Sequence, residues 1–312
     1  MLKKLMFASN QFSSSQPEEP SEDETLPIFL LTDNVNAYIA LLSNDGIDFS
    51  QIMVLPSNNI RDVICVNGLY VLVGNGGKIF TSTDITDPSS WVQRTSGTTA
   101  TLWTVAYGNG VFVAAGVSGL LRTSVDGITW NAVAGTALGN TSSNLIKIRF
   151  VNGYFIATWG SGTSIRYSVN GTLWTNGQYL NGGGGKECVI FDGTRYLVGT
   201  DNTLINIAPT ITSLELGSPV ASNFSVKAIL KDGDYYYAGK SGYGYVYRST
   251  NLINWTQLTT VNNSVCNFLV KRKGAIYAGM SNGKLYRSAD GLNFSLIPQS
   301  FADNGQSLRV MI

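Results

Sequence analysis

Ser124-Val125-Asp126-Gly127-Ile128-Thr129-Trp130 is one of six copies of a signature: a serine, then Asp or Asn two residues on, then an aromatic. The others are Ser43-Asn44-Asp45-Gly46 with Phe49, Ser82-Thr83-Asp84 with Trp91, Ser168-Val169-Asn170-Gly171 with Trp174, Ser249-Thr250-Asn251 with Trp255, and Ser288-Ala289-Asp290-Gly291 with Phe294. The serines lie 39, 42, 44, 81 and 39 residues apart, so the long interval is two periods holding one degenerate copy. A period near forty marks a repeat architecture, and about 40–45 residues is the length of one four-stranded propeller blade.

A second ladder, made of different residues, supports the count. Asn67-Gly68, Asn109-Gly110, Asn152-Gly153, Asp192-Gly193, Asp232-Gly233 and Lys273-Gly274 each follow an apolar run and precede an aromatic strand, with glycines 42, 43, 40, 40 and 41 apart. Asn-Gly and Asp-Gly between β-rich runs signal type I′ hairpins, whose two central residues both need positive φ. Each unit resolves into strands a to d; in the third these are Thr104–Tyr107, Val111–Gly116, Leu120–Ser124 and a strand beginning at Trp130. The first unit has only b, c and d, at Ile28–Leu31, Ala37–Ser43 and Phe49–Leu55. Its missing strand is expected at the other end of the chain, in 307–312, which leaves no open edge between first and last units. The sequence therefore predicts an all-β, seven-bladed β-propeller over 28–312, closed by the C-terminal strand, behind an extended N-terminal arm over 1–27.

Charged residues make up 13% of the 312, against about 25% in an ordinary soluble domain, and 21 basic against 20 acidic side chains leave a net charge of +1. That balance offers no electrostatic argument for nucleic acid. No apolar run reaches the roughly 18–20 residues of a membrane-inserted helix. Histidine is absent, which removes His-based triads, metal sites and proton shuttles from consideration. Cys65, Cys188 and Cys266 fall in expected inner strands and read as small buried hydrophobes without a disulfide. Neither a metal nor a cofactor is implied.

The arm joins a short apolar, basic piece, Leu2–Phe12, to a polar stretch carrying Glu18, Glu19, Glu22, Asp23 and Glu24 between Pro17, Pro20 and Pro27. The apolar piece is interrupted by Ser9, Asn10 and Gln11, too early for a secretory h-region of about 7–15 residues. A terminal segment of this composition needs something to tie it down: either Leu5, Met6 and Phe7 anchor it into a partner, or the tail folds back on its own propeller.

The Ser-x-Asp-Gly-x-x-Trp signature resembles the Asp-box, or BNR, repeat of sialidase-like propellers, in all units but one. The family's usual box has one more residue between Ser and Trp than Ser124–Trp130, Ser168–Trp174 or Ser288–Phe294. The resemblance implies that the box is a folding device at the c–d hairpin, with its Asp tying the turn and its aromatic packing beneath. A sialidase also needs an arginine triad, a Tyr–Glu nucleophile pair and an acid Asp; there is no Arg-Ile-Pro segment, and Arg122, Arg166, Arg248 and Arg287 recur beside the boxes as structural residues. The chain is therefore expected not to be an enzyme.

Six residues before the turn glycines stand Asp62, Thr104, Lys147, Glu187 and Lys227, which with Arg149 and Arg309 are expected to line the central channel. Their mixed charges read either as mutual neutralisation or as a binding site. Tyr235, Tyr237, Tyr243, Tyr245 and Tyr247 form stripes in the sixth unit that suit either a sugar platform or packing between blades. A weakly charged, Gly/Thr/Asn-rich, histidine-free propeller with an arm resembles virion proteins of tailed bacteriophages. That resemblance implies a structural or host-adhesion protein in the virion, joined to other virion proteins through residues 1–27 and facing a host-surface glycan, with no nucleic acid partner and no membrane insertion. A free carbohydrate-binding propeller and a glycoside hydrolase remain the rival readings.

Overall fold

The computed structural model describes residues 28–33, 39–49, 51–54, 60–134, 138, 145–159, 164–179, 185–201, 204–211, 220–221, 224–240, 245–259, 264–298 and 307–311. Alternating apolar runs punctuated by turn residues give short strands that pair antiparallel in sheets of four. The first sheet contains β1 (Ile28–Asp33), β2 (Ile39–Ser43) and β3 (Gln51–Val54). The second is β4 (Ile60–Val66), β5 (Leu69–Gly74), β6 (Ile79–Ser82) and β7 (Val92–Arg94), and the third β8 (Leu102–Gly108), β9 (Val111–Gly116), β10 (Leu121–Ser124) and β11 (Asn131–Ala132). The fourth is β12 (Leu145–Val151), β13 (Tyr154–Trp159), β14 (Ser164–Ser168) and β15 (Thr175–Tyr179); the fifth is β16 (Lys186–Phe191), β17 (Tyr196–Thr200), β18 (Leu204–Ala208) and β19 (Val220–Ala221). The sixth is β20 (Val226–Asp232), β21 (Tyr235–Lys240), β22 (Val246–Ser249) and β23 (Thr256–Thr259), and the seventh β24 (Cys266–Arg272), β25 (Ala275–Met280), β26 (Leu285–Ser288) and β27 (Ser295–Leu296). The last strand, β28 (Ser307–Met311), pairs antiparallel with β1, Leu30 opposite Met311 and Asp33 opposite Ser307. No α-helix occurs among the described residues. The fold is all-β and propeller-like.

With no α-helix among the described residues to cover them, both faces of a sheet bury apolar side chains against neighbouring sheets. Leu42 joins Ile60, Tyr70 and Trp91 between the first and second sheets. Val71 and Ile79 meet Leu102 and Phe112, Val113 and Leu121 meet Leu145 and Phe155, and Ile156 and Ile165 meet Val189 and Tyr196. Leu197 and Ile205 pack with Val226 and Tyr236, Ala238's neighbour Tyr237 and Val246 pack with Cys266 and Ile276, and Phe268 and Tyr277 pack with Ile28 and Phe49 of the first sheet. Burying one such side chain contributes about 1.5–3 kcal/mol.

The inner strands share a defect. Register shifts by one residue between Ile60 and Asp62, Leu102 and Thr104, Leu145 and Lys147, Lys186 and Cys188, Val226 and Ala228, and Cys266 and Phe268. A bulge in the edge strand of each of these sheets disrupts the ladder that another strand would otherwise extend.

Turn chemistry follows the ladder of glycines with two exceptions. Asn67-Gly68, Asn109-Gly110, Asn152-Gly153 and Lys273-Gly274 have positive φ at both residues, as a type I′ turn requires. In the sixth sheet Asp232 pairs with Tyr235, so the tip is Gly233-Asp234 with glycine first; in the fifth, the Asp192 amide donates to the Arg195 carbonyl over a longer loop. In the c–d turns, Gly46, Gly127, Gly171 and Gly291 occupy a left-handed position that Leu252 fills in the sixth sheet, at φ 65°. A leucine there costs roughly 1–2 kcal/mol of backbone strain, but its side chain is buried with Tyr236 and Phe224, and truncating a buried leucine costs about 2–5 kcal/mol. Burial wins: Leu252→Gly is expected to destabilise the protein by about 1–3 kcal/mol despite restoring glycine, read from the urea-unfolding midpoint, and a stabilised variant would contradict this packing.

Candidate functional site

Asp62 is 3% exposed in β4. Its Oδ2 accepts from the Thr104 hydroxyl at 2.8 Å and from the Val105 amide at 3.1 Å, both on the inner strand of the third sheet. Thr104 Oγ1 in turn accepts from the Ile148 amide of the fourth sheet at 3.3 Å, and Lys147 Nζ lies 3.5 Å from Asp62 Oδ1. Three of the expected channel residues thus converge on one polar seam across three sheets. A carboxylate so enclosed acts as an anchor.

The other expected channel residues do not join it. Aligned on the bulges, Asp62, Thr104 and Lys147 match Cys188 and Ala228, so Glu187 and Lys227 are one residue out of step, at the bulge itself. A slip of one residue moves a side chain to the opposite face. The expected layer counted back from the turn glycines, and the differently built turns at Gly193 and Gly233 shifted the count. Arg149 is exposed on β12, and Lys227 is half-buried. The side chains of Glu187 and Arg309, and all of Leu5, Met6, Phe7 and Tyr243, lie outside the described residues.

The tyrosines of the sixth sheet do not make one platform. Tyr235 begins β21 beside the a–b turn, whereas Tyr245 faces Lys240 at the other end, its carbonyl accepting from the Lys240 amide at 3.0 Å. Five residues of strand separate these ends, about 17 Å at ~3.4 Å per residue. Tyr237 is buried at the seam with the seventh sheet. Tyr235 and Tyr237 line a depression of about 310 Å³ between the sixth and seventh sheets, with Arg248, Asp232, Lys271 and Asp290. There the Arg248 guanidinium sits 4.1 Å from the centre of the Tyr235 ring, over the face on which a sugar would stack, and Lys271 Nζ is 2.6 Å from Asp232 Oδ1.

A cluster that sequence reasoning missed joins the fifth and sixth sheets. The Tyr236 hydroxyl donates to Asp192 Oδ2 at 2.7 Å, and Arg195 Nε donates to the same oxygen at 3.0 Å. Burial alone would raise the Asp192 carboxyl, but bonds from Tyr236, Arg195 and Thr194 outweigh it and hold the group below the ordinary carboxylate range. Arg195 and Tyr236 lie 41 residues apart, one repeat, which was the available signal.

The signature turns have a common internal geometry. Ser124 Oγ donates to Asp126 Oδ1 at 2.8 Å and accepts from the Gly127 amide at 2.9 Å; Asp126 Oδ1 accepts from the Ile128 and Thr129 amides at 2.8 Å, and Trp130 Nε1 donates to the Gly127 carbonyl at 2.9 Å. Asn170 and Asn251 reproduce the two amide bonds with a carbonyl oxygen. In the second sheet the turn is longer, and the buried Trp91 Nε1 has no hydrogen-bond partner. Because Ser43, Ser82, Ser124, Ser168, Ser249 and Ser288 pair with the first or second residues of the b strands, these turns and the a–b turns share one end of the sheets. Asn109 stitches that end, donating to the Gly153 and Val169 carbonyls of the fourth sheet at 3.2 and 2.9 Å. The signature turns also hold apolar side chains into solvent: Val125 is 77% exposed, Leu173 76% and Ile253 61%, with Ile47, Ile128, Val169 and Leu292 exposed as well.

Comparisons with known proteins agree on the fold. A family model described as the DUF6242 beta propeller domain matches residues 212–302. Ycf48 from Cyanidioschyzon merolae is 14% identical with a TM-score of 0.58, over 86% of this chain and 88% of that one. The computationally designed Ika8 protein is 12% identical with a TM-score of 0.60, over 94% and 92%, and the WD40 beta propeller domain of Doa1 is 14% identical with a TM-score of 0.57, over 92% and 86%. No curated protein matches the chain. The fold is a β-propeller, and at these identities the likeness extends to the fold alone.

Two outcomes follow from the site. Asp62→Ala leaves the Thr104 hydroxyl and the Val105 amide without their buried acceptor and is expected to cost about 1–3 kcal/mol of unfolding free energy in urea; an unchanged midpoint would show that the seam does not depend on Asp62. The amides of Thr129 and Ile128, with Ser124, lower the Asp126 carboxyl from 3.8 to about 2. A depressed folded-state value stabilises above 3.8 and is lost as the pH falls through about 2. Asp126→Asn is expected to match the parent protein at pH 7 and to lose less melting temperature over that acid window, and parallel profiles would refute the assignment.

Proposed function

We propose that the chain forms a seven-bladed ring, closed by β28 completing the first blade, that serves as a non-enzymatic structural or host-adhesion component of a tailed-bacteriophage virion. The proposal takes residues 1–27 as the element that docks the ring into its assembly. The observation that carries this reading is the engagement of chemistry-bearing side chains as ties between neighbouring sheets: Asp62 with Thr104 and Lys147, and Asp192 with Arg195 and Tyr236.

Support for the ring comes from the succession of seams. Each apolar cluster joins one sheet to the next in chain order, and the cluster of Phe268 and Tyr277 with Ile28 and Phe49 joins the last to the first. Tyr277 Oη also donates to the Gly46 carbonyl at 2.7 Å across that junction. The signature turns, with their Ser, Asp and aromatic bonds, support reading them as Asp-boxes, a folding device in that family rather than a catalytic one. The low charge and the arm support the virion assignment, and the structure of Ycf48 bound to D1 peptide, a neighbour at 15% identity, gives a precedent for a protein of similar fold holding a peptide.

The carbohydrate-binding reading asks for adjacent open rings, and Tyr235 and Tyr245 stand at opposite ends of their hairpin. The test removes Met1–Pro27. The truncated chain is expected to keep its circular dichroism and melting temperature while disappearing from purified particles, and normal incorporation would overturn the docking role of the arm.

A further inference from the structure

At the end of the sheets that carries the signature turns, the first four sheets combine acidic residues with exposed apolar tips. Their turns 43–49, 82–91, 124–130 and 168–174 carry Asp45, Asp48, Asp84, Asp87 and Asp126 but neither lysine nor arginine, and the intervening Asn-Gly turns add no charge. Among these acids protrude Ile47, Val125, Ile128, Val169 and Leu173, all exposed. None of these side chains takes part in the hydrogen bonds of its turn, which use Ser, Asp, Asn and backbone groups only. Exposed apolar tips repeated among acids at one end of the sheets are complementary to a segment that is itself apolar and basic.

The chain itself contains such a segment. β1 starts at Ile28, which pairs with Ser43 and is buried beside Gly46, so residues 1–27 enter the fold at this same end, next to the turn of the first sheet. Residues 13–27 can span up to about 50 Å when extended, whereas a folded chain of this size has a radius of gyration of about 19 Å. The turns of the third and fourth sheets are within reach of the segment beyond that spacer. This segment, Leu2-Lys3-Lys4-Leu5-Met6-Phe7, is complementary in both respects, with four apolar side chains for the tips and two lysines for the aspartates. The acidic spacer, Glu18 to Glu24, is repelled by the same aspartates, so only the basic, apolar end gains by returning to the face.

We infer that Leu2–Phe12 docks on the signature-turn face of its own chain, over the sector from the first to the fourth sheet, and covers the apolar tips there. This goes beyond the virion reading, because the receptor lies on the same polypeptide whatever particle it joins.

The test uses the full chain with a photo-crosslinking phenylalanine analogue at Phe7. Crosslinked peptides are expected to map to 43–49, 124–130 or 168–174, with a yield independent of protein concentration and without mixed products when isotopically labelled and unlabelled chains are combined. Lys3→Glu with Lys4→Glu, and separately Val125→Ser with Leu173→Ser, should each lower the yield several-fold, and added salt should lower it further, since exposed charges are screened. Mixed products would assign the face to a second copy of the chain and overturn the proposal, as would crosslinks at the opposite loops or a yield indifferent to both variants. Particle incorporation is scored separately, so an arm essential for assembly but uncrosslinked to this face would refute the docking site and leave the virion reading standing.

Discussion

Each sheet in this protein is apolar on both faces, and no α-helix among the described residues is there to cover either one. That constraint makes neighbouring sheets mutually dependent, since a single four-stranded sheet would expose two rows of Val, Ile, Leu and aromatic side chains. The seams answer it with residues of both partners, as where Val71 and Ile79 of the second sheet lie against Leu102 and Phe112 of the third. Free energy therefore resides chiefly between repeats, where apolar area leaves water, and hydrogen bonds set the register in which those faces meet.

Polar side chains do that second task with few long-range charges. Asp62 reaches to the next sheet for a hydroxyl and an amide, Asn109 for two carbonyls, and Tyr236 for a carboxylate. Each bond is modest on its own, but each satisfies a group that would be costly to leave buried and unpaired. A chain with so low a charge content accordingly relies on neutral donors and on short Asp-centred turns in place of surface ion pairs, whose individual contribution is small.

Much of the architecture was legible because turn residues recur where side-chain identity matters locally. Val111–Gly116 was read with the bounds it has, and the strand at 307–311 was anticipated from the missing partner of β1. Even the degenerate fifth unit forms its sheet, with Ala208 opposite Tyr196 where its neighbours have serine, since strand pairing does not need the signature. Site geometry was less legible for the opposite reason. The a–b turns at Gly193 and Gly233 are built differently from the Asn-Gly turns, which puts Glu187 and Lys227 one position out of step with Asp62, and the turn glycines alone do not reveal that difference. Likewise Tyr235 and Tyr245 look adjacent in a stripe, but a hairpin holds them at its two ends, and the partner of Tyr236 is a repeat away.

The tips of the signature turns stand outside their own hydrogen-bond scheme. Ser, Asp or Asn, the glycine position and the aromatic are occupied in holding the loop, while the side chains at 125 and 128, and their counterparts at 169 and 253, take no part in it even where the backbone amide does. Structure and surface chemistry are thus written in alternate letters of the same heptapeptide. Such a scaffold can change what it displays, at several repeated and rigidly spaced points at once, without renegotiating how it folds, which is the condition for a multivalent surface to drift quickly towards new partners.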